Sequence, residues 1–365
     1  MIIYVHIPFC HRVCPYCSFY KHTPGDTDIR AFLQAVLSEA KVAVSSDVLT
    51  EDISTLYLGG GTPSMLSPAH LRELFDGLHN TLSLEKTHIT MEANPATFGD
   101  KKAALFKELG VNRTSLGIQS FNTHVLETLG REHSPEQATE SVQTLRGAGM
   151  EEINIDLMFS IPGQSEIDWQ HSLDTAVATK PDHISAYNLT YEEDTEFIKR
   201  LTDGDYQQSE DTNANQFQQA HNTLTAAGFQ HYETSNYAQP DMESIHNQSY
   251  WLGHDYLGLG PSAVSTISGR RWKNLPDTTG YIQAMTAFGH AKREEEIIDP
   301  DAFRIERIAL LLRTSAGLPE VYLNDSPPAV VKNLLEENLA EIKESRLRLI
   351  NNGTMLVDSI AEQLV

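Results

Sequence analysis

The sequence predicts an α/β protein, a partial (β/α)6 barrel open on one side, followed by a small winged-helix-like α+β unit. Short apolar runs alternate with amphipathic stretches through the first two thirds of the chain. Six such runs occur, fewer than the eight of a closed barrel. After residue 300 the pattern becomes mainly helical.

The runs are Ile2–Ile7, Thr55–Gly59, His88–Glu92, Thr114–Ile118, Ile153–Leu157 and His183–Asn188. Between them lie helix-like segments such as "DIRAFLQAVLSEAKVAV" from Asp28 and "PAHLRELFDGLHNTL" from Pro68. Asp28 and Ser67 stand at their starts as N-cap residues. Strand–helix units in succession imply a parallel sheet with right-handed crossovers.

After Gly228 the alternation stops. "FQHYETSNYAQP" offers one further strand, and Gly, Ser and Asn dominate as far as Asn274. From Pro300, "FRIERIALLLRTSAGL" and "PAVVKNLLEENLAEI" read as helices. "RLRLINNGTMLVDSIAEQLV" reads as two short strands around Asn-Asn-Gly and a last helix. The expected division is a barrel over residues 1–228, a linking extension over 229–299 and the winged-helix-like unit over 300–365.

The chain has 365 residues, 40% hydrophobic and 21% charged, a globular composition. Fifty acidic residues face 27 basic ones, a net charge of −23, and no block of Lys and Arg suits a phosphate backbone. A nucleic-acid partner is therefore not expected. No apolar run approaches the roughly 18 residues of a membrane span, and "MIIYVHIPFC" lacks the basic start of a signal peptide. A cytoplasmic protein is expected, since an odd cluster of cysteines is no disulfide framework.

All three cysteines, Cys10, Cys14 and Cys17, lie in "CHRVCPYCSFY". Thiolates are soft ligands for zinc, copper(I) or iron–sulfur clusters. Structural zinc wants four ligands, usually as two pairs, and a fourth would have to come from His6, His11 or His22. Three thiolates on one loop suit a [4Fe–4S] cluster with one iron left open.

The other polar motifs fall at the carboxyl ends of the predicted strands, where barrels carry their working residues. "LGGGTPS" (58–64) brings backbone N–H groups close to a ligand at Gly60, Gly61 and Thr62, or makes a tight turn. Glu92 and Gln119 end neighbouring strands and can hydrogen-bond a ribose or an amino group. Arg131 can hold a carboxylate bidentately, and Asp156 can accept from ribose hydroxyls. Singly, Glu92 or Asp156 reads more readily as a helix cap and Arg131 as a surface ion pair than as functional residues; gathered on one rim, they mark one site. "GLGPSA" (258–263) superficially matches a dinucleotide fingerprint, but it contains Pro261 and no convincing helix follows.

The spacing Cys-x3-Cys-x2-Cys after a first strand resembles the radical S-adenosylmethionine (SAM) superfamily. Within it, "YVHIPFC", "LGGGTPS", "GIQSFNTHVLETLGREHS", "DLMFSIPGQ", "YETSNYA" and "LLLRTSAGL" resemble oxygen-independent coproporphyrinogen III oxidases and their HemW-type heme-chaperone relatives, over nearly the whole chain. The resemblance implies that Cys10, Cys14 and Cys17 hold a [4Fe–4S] cluster whose open iron binds SAM. It places Tyr4, Gly60, Gly61, Thr62, Glu92, Gln119, Arg131 and Asp156 on SAM-contacting positions, with Tyr16 as an aromatic neighbour of the cofactor.

Two features separate the branches. The oxidase usually carries a fourth cysteine two positions after the third, where this chain has Phe19, and an extension before the first strand, which here begins at Ile2. "HNQSYW", His246 to Trp251, matches the His-Asn-x-x-Tyr-Trp motif associated with heme binding in the chaperones. Read alone, a histidine beside aromatics is usually a core residue. The resemblance makes His246 the candidate ligand of heme iron, with Tyr250 and Trp251 against the porphyrin.

The expected function is heme binding and delivery to haemoproteins, respiratory ones by the resemblance. A flavodoxin or ferredoxin would be the reductant. Peripheral membrane contact and a homodimer remain compatible with this reading. The alternatives are radical decarboxylation of coproporphyrinogen III, against which Phe19 argues, and other radical SAM chemistry on porphyrins. No residue is assigned a catalytic role.

Overall fold

The computed structural model describes residues 1–365 except 47, 50 and 51. Strands β1 (Ile2–Ile7), β2 (Thr55–Gly60), β3 (His88–Ala93), β4 (Arg113–Gln119), β5 (Glu152–Phe159) and β6 (His183–Asn188) lie side by side in that order, all parallel. Every predicted run is a strand. Helices α1 (Ile29–Ser45), α2 (Pro68–Thr81), α3 (Asp100–Glu108), α4 (Thr123–Thr128), α5 (Pro135–Gly147) and α6 (Glu166–Ala178) return the chain between them. Asp28 and Ser67 cap α1 and α2, accepting from the N–H groups of Ala31 and His70.

Alternation along each strand sorts the side chains by face. The outer face is apolar and buried under the helices, with Ile3, Val5, Leu56, Leu58, Ile89, Met91, Leu116, Ile118, Ile155 and Leu157 in one core. The inner face is polar: Tyr4 and His6, Thr55 and Tyr57, His88 and Glu92, Arg113 and Ser115, Asn154 and Asp156, His183 and Ser185. Closed barrels fill that space with branched apolar side chains. A polar inner face is consistent with a ligand site.

Beyond β6 come α7 (Glu196–Thr202), α8 (Glu210–Ala226), β7 (Gln230–Glu233), β8 (Asn236–Ala238) and α9 (Ile245–Trp251). Then follow β9 (Tyr256–Leu259), β10 (Val264–Ile267), β11 (Arg270–Asn274), α10 (Thr278–Phe288) and β12 (Lys292–Ile297). Residues 229–299 thus supply six strands rather than the single further strand expected. Each is only three to six residues long, and β12 is exposed throughout, so no apolar period betrays them. They extend the barrel strands into one twelve-stranded sheet, with β9 parallel beside β1 and β8 antiparallel beside β6. The sheet does not close, as expected. After "GLGPSA" a strand follows rather than a helix, so no dinucleotide turn forms.

Half-buried Glu39 of α1 ties this extension down. Its carboxylate accepts from Gly260 N–H (2.9 Å), Asn274 Nδ2 (2.7 Å) and Tyr281 OH (2.6 Å).

The last unit has its own core around Ile308, Leu318, Leu334, Leu347 and Ile360. It comprises α11 (Pro300–Leu311), β13 (Leu318–Pro319), α12 (Pro328–Glu336), β14 (Ala340–Lys343), β15 (Arg346–Leu349) and α13 (Val357–Leu364). Its winged-helix-like character stands, with two local corrections. The helix from Pro328 stops at Glu336, because left-handed Asn338 breaks it and "AEIK" pairs as a strand. The hairpin turns at Glu344–Ser345, both left-handed, and not at Asn-Asn-Gly, which forms a short 3-10 turn.

Candidate functional site

The cysteine loop leaves the carboxyl end of β1 and is closed on itself by backbone pairing. Cys10 N–H donates to His22 O (3.0 Å) and His22 N–H to Pro8 O (2.8 Å). His6 anchors it from below. Burial lowers the His6 pKa to about 4, so the ring is neutral. Its Nε2 meets Tyr20 O at 2.7 Å and must carry the proton, leaving Nδ1 to accept from Tyr4 OH at 3.0 Å.

Cys10, Cys14 and Cys17 line one cavity of about 470 Å³. Thr62 OH points at Cys10 Sγ (3.6 Å) and Arg131 Nη1 at Cys14 Sγ (3.8 Å). Burial raises the Cys10 and Cys17 pKa values, with Lys21 opposing it at Cys17. Among the described residues, no three His, Cys, Asp or Glu side chains converge as a single-ion site requires. Of the three histidines considered as a fourth ligand for zinc, His6 and His22 have both ring nitrogens in hydrogen bonds, whereas exposed His11 lines the cavity. Three thiols facing one cavity, each free to take a different metal, fit a cluster.

The glycine loop is stitched to the cysteine loop. Gly61 N–H donates to Ile7 O and Thr62 N–H to Phe9 O, both at 2.8 Å. A Cβ on Gly61 would lie 2.7 Å from Phe9 O. Gly60 takes φ +108°, which L side chains rarely adopt.

The cavity wall carries opposite charges. Glu92 accepts from Tyr57 OH (3.0 Å) through Oε1 and from Gly60 N–H (3.1 Å) through Oε2. Burial, and then the nearby Asp156 carboxylate, push its pKa up to about 7. Asp156, raised by burial, accepts from Ser115 Oγ (3.0 Å) and Asn154 Nδ2 (2.7 Å). Arg131 donates to Gly117 O, while its buried Nε has no partner among the described residues. Gln119 ends β4 in the left-handed region, at a register shift against β5. Carboxylates and a guanidinium around one cavity suit an amino-acid zwitterion that carries further polar groups.

The expected SAM-contacting residues therefore share one cavity, Tyr16 included, except Tyr4, which stands behind it against Tyr57 (ring centroids 6.2 Å apart). Phe19 is 68% exposed and on the same rim.

The heme-motif residues lie elsewhere. Helix α9 plugs the amino-terminal end of the barrel strands, opposite the cysteine loop. His246 is 2% exposed, and its Nδ1 meets Oγ1 of Thr55, the first residue of β2, at 2.6 Å. Arg113, first in β4, holds the approach to α9 by donating to Met242 O (2.7 Å). Tyr250 stands edge-on to His246 at 5.0 Å, and Trp251 is half-buried with Nε1 unpartnered among the described residues. Burial lowers the His246 pKa to about 3, and its Nε2 has no partner among the described residues. A neutral imidazole with a free nitrogen fits a heme-iron ligand. As packed, a porphyrin reaches it only if α9 moves.

Between the two ends lies Tyr57, which the motif search missed. Its hydroxyl bonds Glu92, and its ring stacks on His246 at 4.9 Å and 28°. The signal was the alternation Thr55-x-Tyr57-x-Gly59, which places Tyr57 on the face that the glycine loop serves.

A family model described as the Radical SAM superfamily matches residues 4–176. The chain is 32% identical to heme chaperone HemW of Bacillus subtilis, over 98% of this chain and 97% of that one. It is 36% identical to heme chaperone HemW of Escherichia coli, over 85% and 82%. Among solved structures, coproporphyrinogen III oxidase (HemN) from Escherichia coli superposes with a TM-score of 0.85, covering 99% of this chain and 89% of that one at 23% identity. At that identity the likeness shows the fold.

Proposed function

Because this chain belongs to the radical SAM superfamily and, within it, to the HemW family, we propose that it binds heme and delivers it to haemoproteins in the cytoplasm. On this reading Cys10, Cys14 and Cys17 hold a [4Fe–4S] cluster, and the cavity beside them holds SAM. The cluster, when bound, supplies one-electron chemistry to SAM. This chain's residues do the holding: Glu92 takes an ammonium or a ribose hydroxyl, Arg131 takes a carboxylate, and Asp156 accepts from hydroxyls. Gly60 and Gly61 let the backbone approach, and Tyr16 packs the cavity wall.

The observation that carries the heme assignment is the neutral, unpartnered Nε2 of buried His246. Heme uptake then includes displacement of α9, which carries the ligand. Respiratory haemoproteins are the proposed recipients, and a flavodoxin or ferredoxin the proposed reductant. No helix among the described residues is long and apolar enough to cross a membrane.

Two measurements on anaerobically reconstituted protein test this reading. Heme titration of the parent gives a bound-heme absorption band that weakens at least tenfold in affinity for His246→Ala. Equal affinity rejects the ligand. Incubation with SAM, reductant and coproporphyrinogen III leaves the porphyrinogen intact, and multiple turnovers to protoporphyrinogen reject the chaperone.

A further inference from the structure

The candidate cavity and His246 sit at opposite ends of the barrel, and one side chain touches the machinery of both. Tyr57 stands half-buried in the middle of β2 and lines the cavity. Its hydroxyl has one hydrogen bond, to Glu92 Oε1 at 3.0 Å, and Glu92 faces the cavity. Its ring lies nearly parallel on the His246 imidazole, with centroids 4.9 Å apart. His246 is otherwise held by Thr55 Oγ1 and by the edge of Tyr250. Any change in Glu92 is therefore felt by the surface against which His246 rests.

We propose that Tyr57 is a positioning residue that couples the cavity to α9, so that a cationic ligand on Glu92 holds His246 closed. A cation beside Glu92 keeps the carboxylate ionised. A hydrogen bond to an ionised acceptor is shorter and stronger than one to a neutral acid. Tyr57 is then held more firmly, its ring stays over His246, and the plug resists the displacement that heme ligation requires. SAM carries a sulfonium and an ammonium group, so it is the ligand for which this holds. By linkage, heme bound through His246 weakens SAM by the same factor. Positioning the coupling in one hydroxyl makes it separable from packing, because phenylalanine keeps the ring.

The inference rests on the heme reading of His246 in its affinity arm, and an independent measurement covers the rest. In the cluster-loaded full chain, heme dissociation constants are measured with and without saturating SAM. The parent shows roughly fivefold or greater weakening by SAM, the lower end of typical coupling. Tyr57→Phe brings that ratio to near one. A ratio near one in the parent, or an unchanged ratio in Tyr57→Phe, overturns the proposal.

Hydrogen exchange across residues 245–251, with SAM and without heme, reads the same coupling whatever the iron ligand is. SAM slows exchange there in the parent and not in Tyr57→Phe. Exchange indifferent to SAM in the parent overturns the proposal even where Tyr57→Phe folds poorly. If His246→Ala binds heme like the parent while this exchange effect persists, the ligand assignment fails and the coupling stands.

Discussion

The ring of His6 occupies the space that a Cβ on Gly60 would need, its nearest atoms 2.5 Å from the ideal position. His6 and Gly60, more than fifty residues apart in sequence, thus bring the two loops together through one imidazole and one missing methyl group. The imidazole bonds the cysteine loop at Tyr20 O, and the glycine hands its N–H to Glu92.

Gly60→Ala should therefore damage the site before the fold. The left-handed backbone and the collision with His6 together cost about 2–4 kcal/mol. Iron bound per chain after reconstitution should drop, and SAM affinity with it, while far-ultraviolet dichroism keeps its parental shape. Parental iron content and SAM affinity would refute the assigned role of the glycine loop.

Glu92 gives the protein a pH signature. Burial raises its pKa from 4.5 to about 7, so between those values the folded chain keeps a proton that the unfolded chain has released. Stability of the ligand-free chain falls as pH rises through that window, and the cost is complete above about 7. Glu92→Gln should therefore be more stable than the parent by about 1–3 kcal/mol above neutrality and equal to it in the acid range. SAM binding should run the opposite way, strengthening in the parent as Glu92 ionises and staying flat in the variant. Denaturation and calorimetry across pH check both signs.

Thr62 donates its hydroxyl to Cys10 Sγ. Hydrogen bonds to cluster sulfurs favour the reduced state. Thr62→Val should lower the reduction potential of the reconstituted cluster by tens of millivolts, on the order expected for one lost bond. Potentiometry followed by electron paramagnetic resonance measures it, and an unmoved potential excludes the bond in the loaded protein.

Arg307 of α11 covers the exit of α9. A Cβ on Gly253, which is left-handed at φ +72°, would lie 1.0 Å from Arg307 Nη1. The guanidinium also sits over Phe303 at 5.2 Å. Arg307→Ala should speed amide exchange across 245–251 and raise the heme association rate severalfold. If stopped-flow mixing shows the parental rate, α9 does not gate heme access.

The barrel was legible because its strands are long enough to alternate and its turns carry Gly, Asn or a cap. The cysteine loop, the glycine loop and the polar strand ends of Glu92, Gln119 and Asp156 could be placed on one rim from order alone. His246 could not be placed that way. The short segments around it carry no period, and its neighbours Thr55 and Tyr57 lie nearly two hundred residues away in sequence. Its motif announces an aromatic environment but not which end of the barrel supplies it. Tyr57 could be put on the inner face by alternation, but its role shows only once Glu92 and His246, its two partners, are in place.

An open sheet has two free rims, and the two are guarded by different means. At β7 the chain guards itself: Thr234 N–H donates to Arg313 O, Ser315 N–H to Tyr232 O, and Glu233 bridges Thr314. At β12 the guard is repulsion, since "KREEEI" lies exposed along its whole length and sets charge against any strand that would add there. The last sixty-odd residues therefore cover a sheet edge as well as forming their own core. Cutting the chain before Pro300 would uncover β7, whose rim has no charged run to replace the lost cover, and would invite self-association through that one edge.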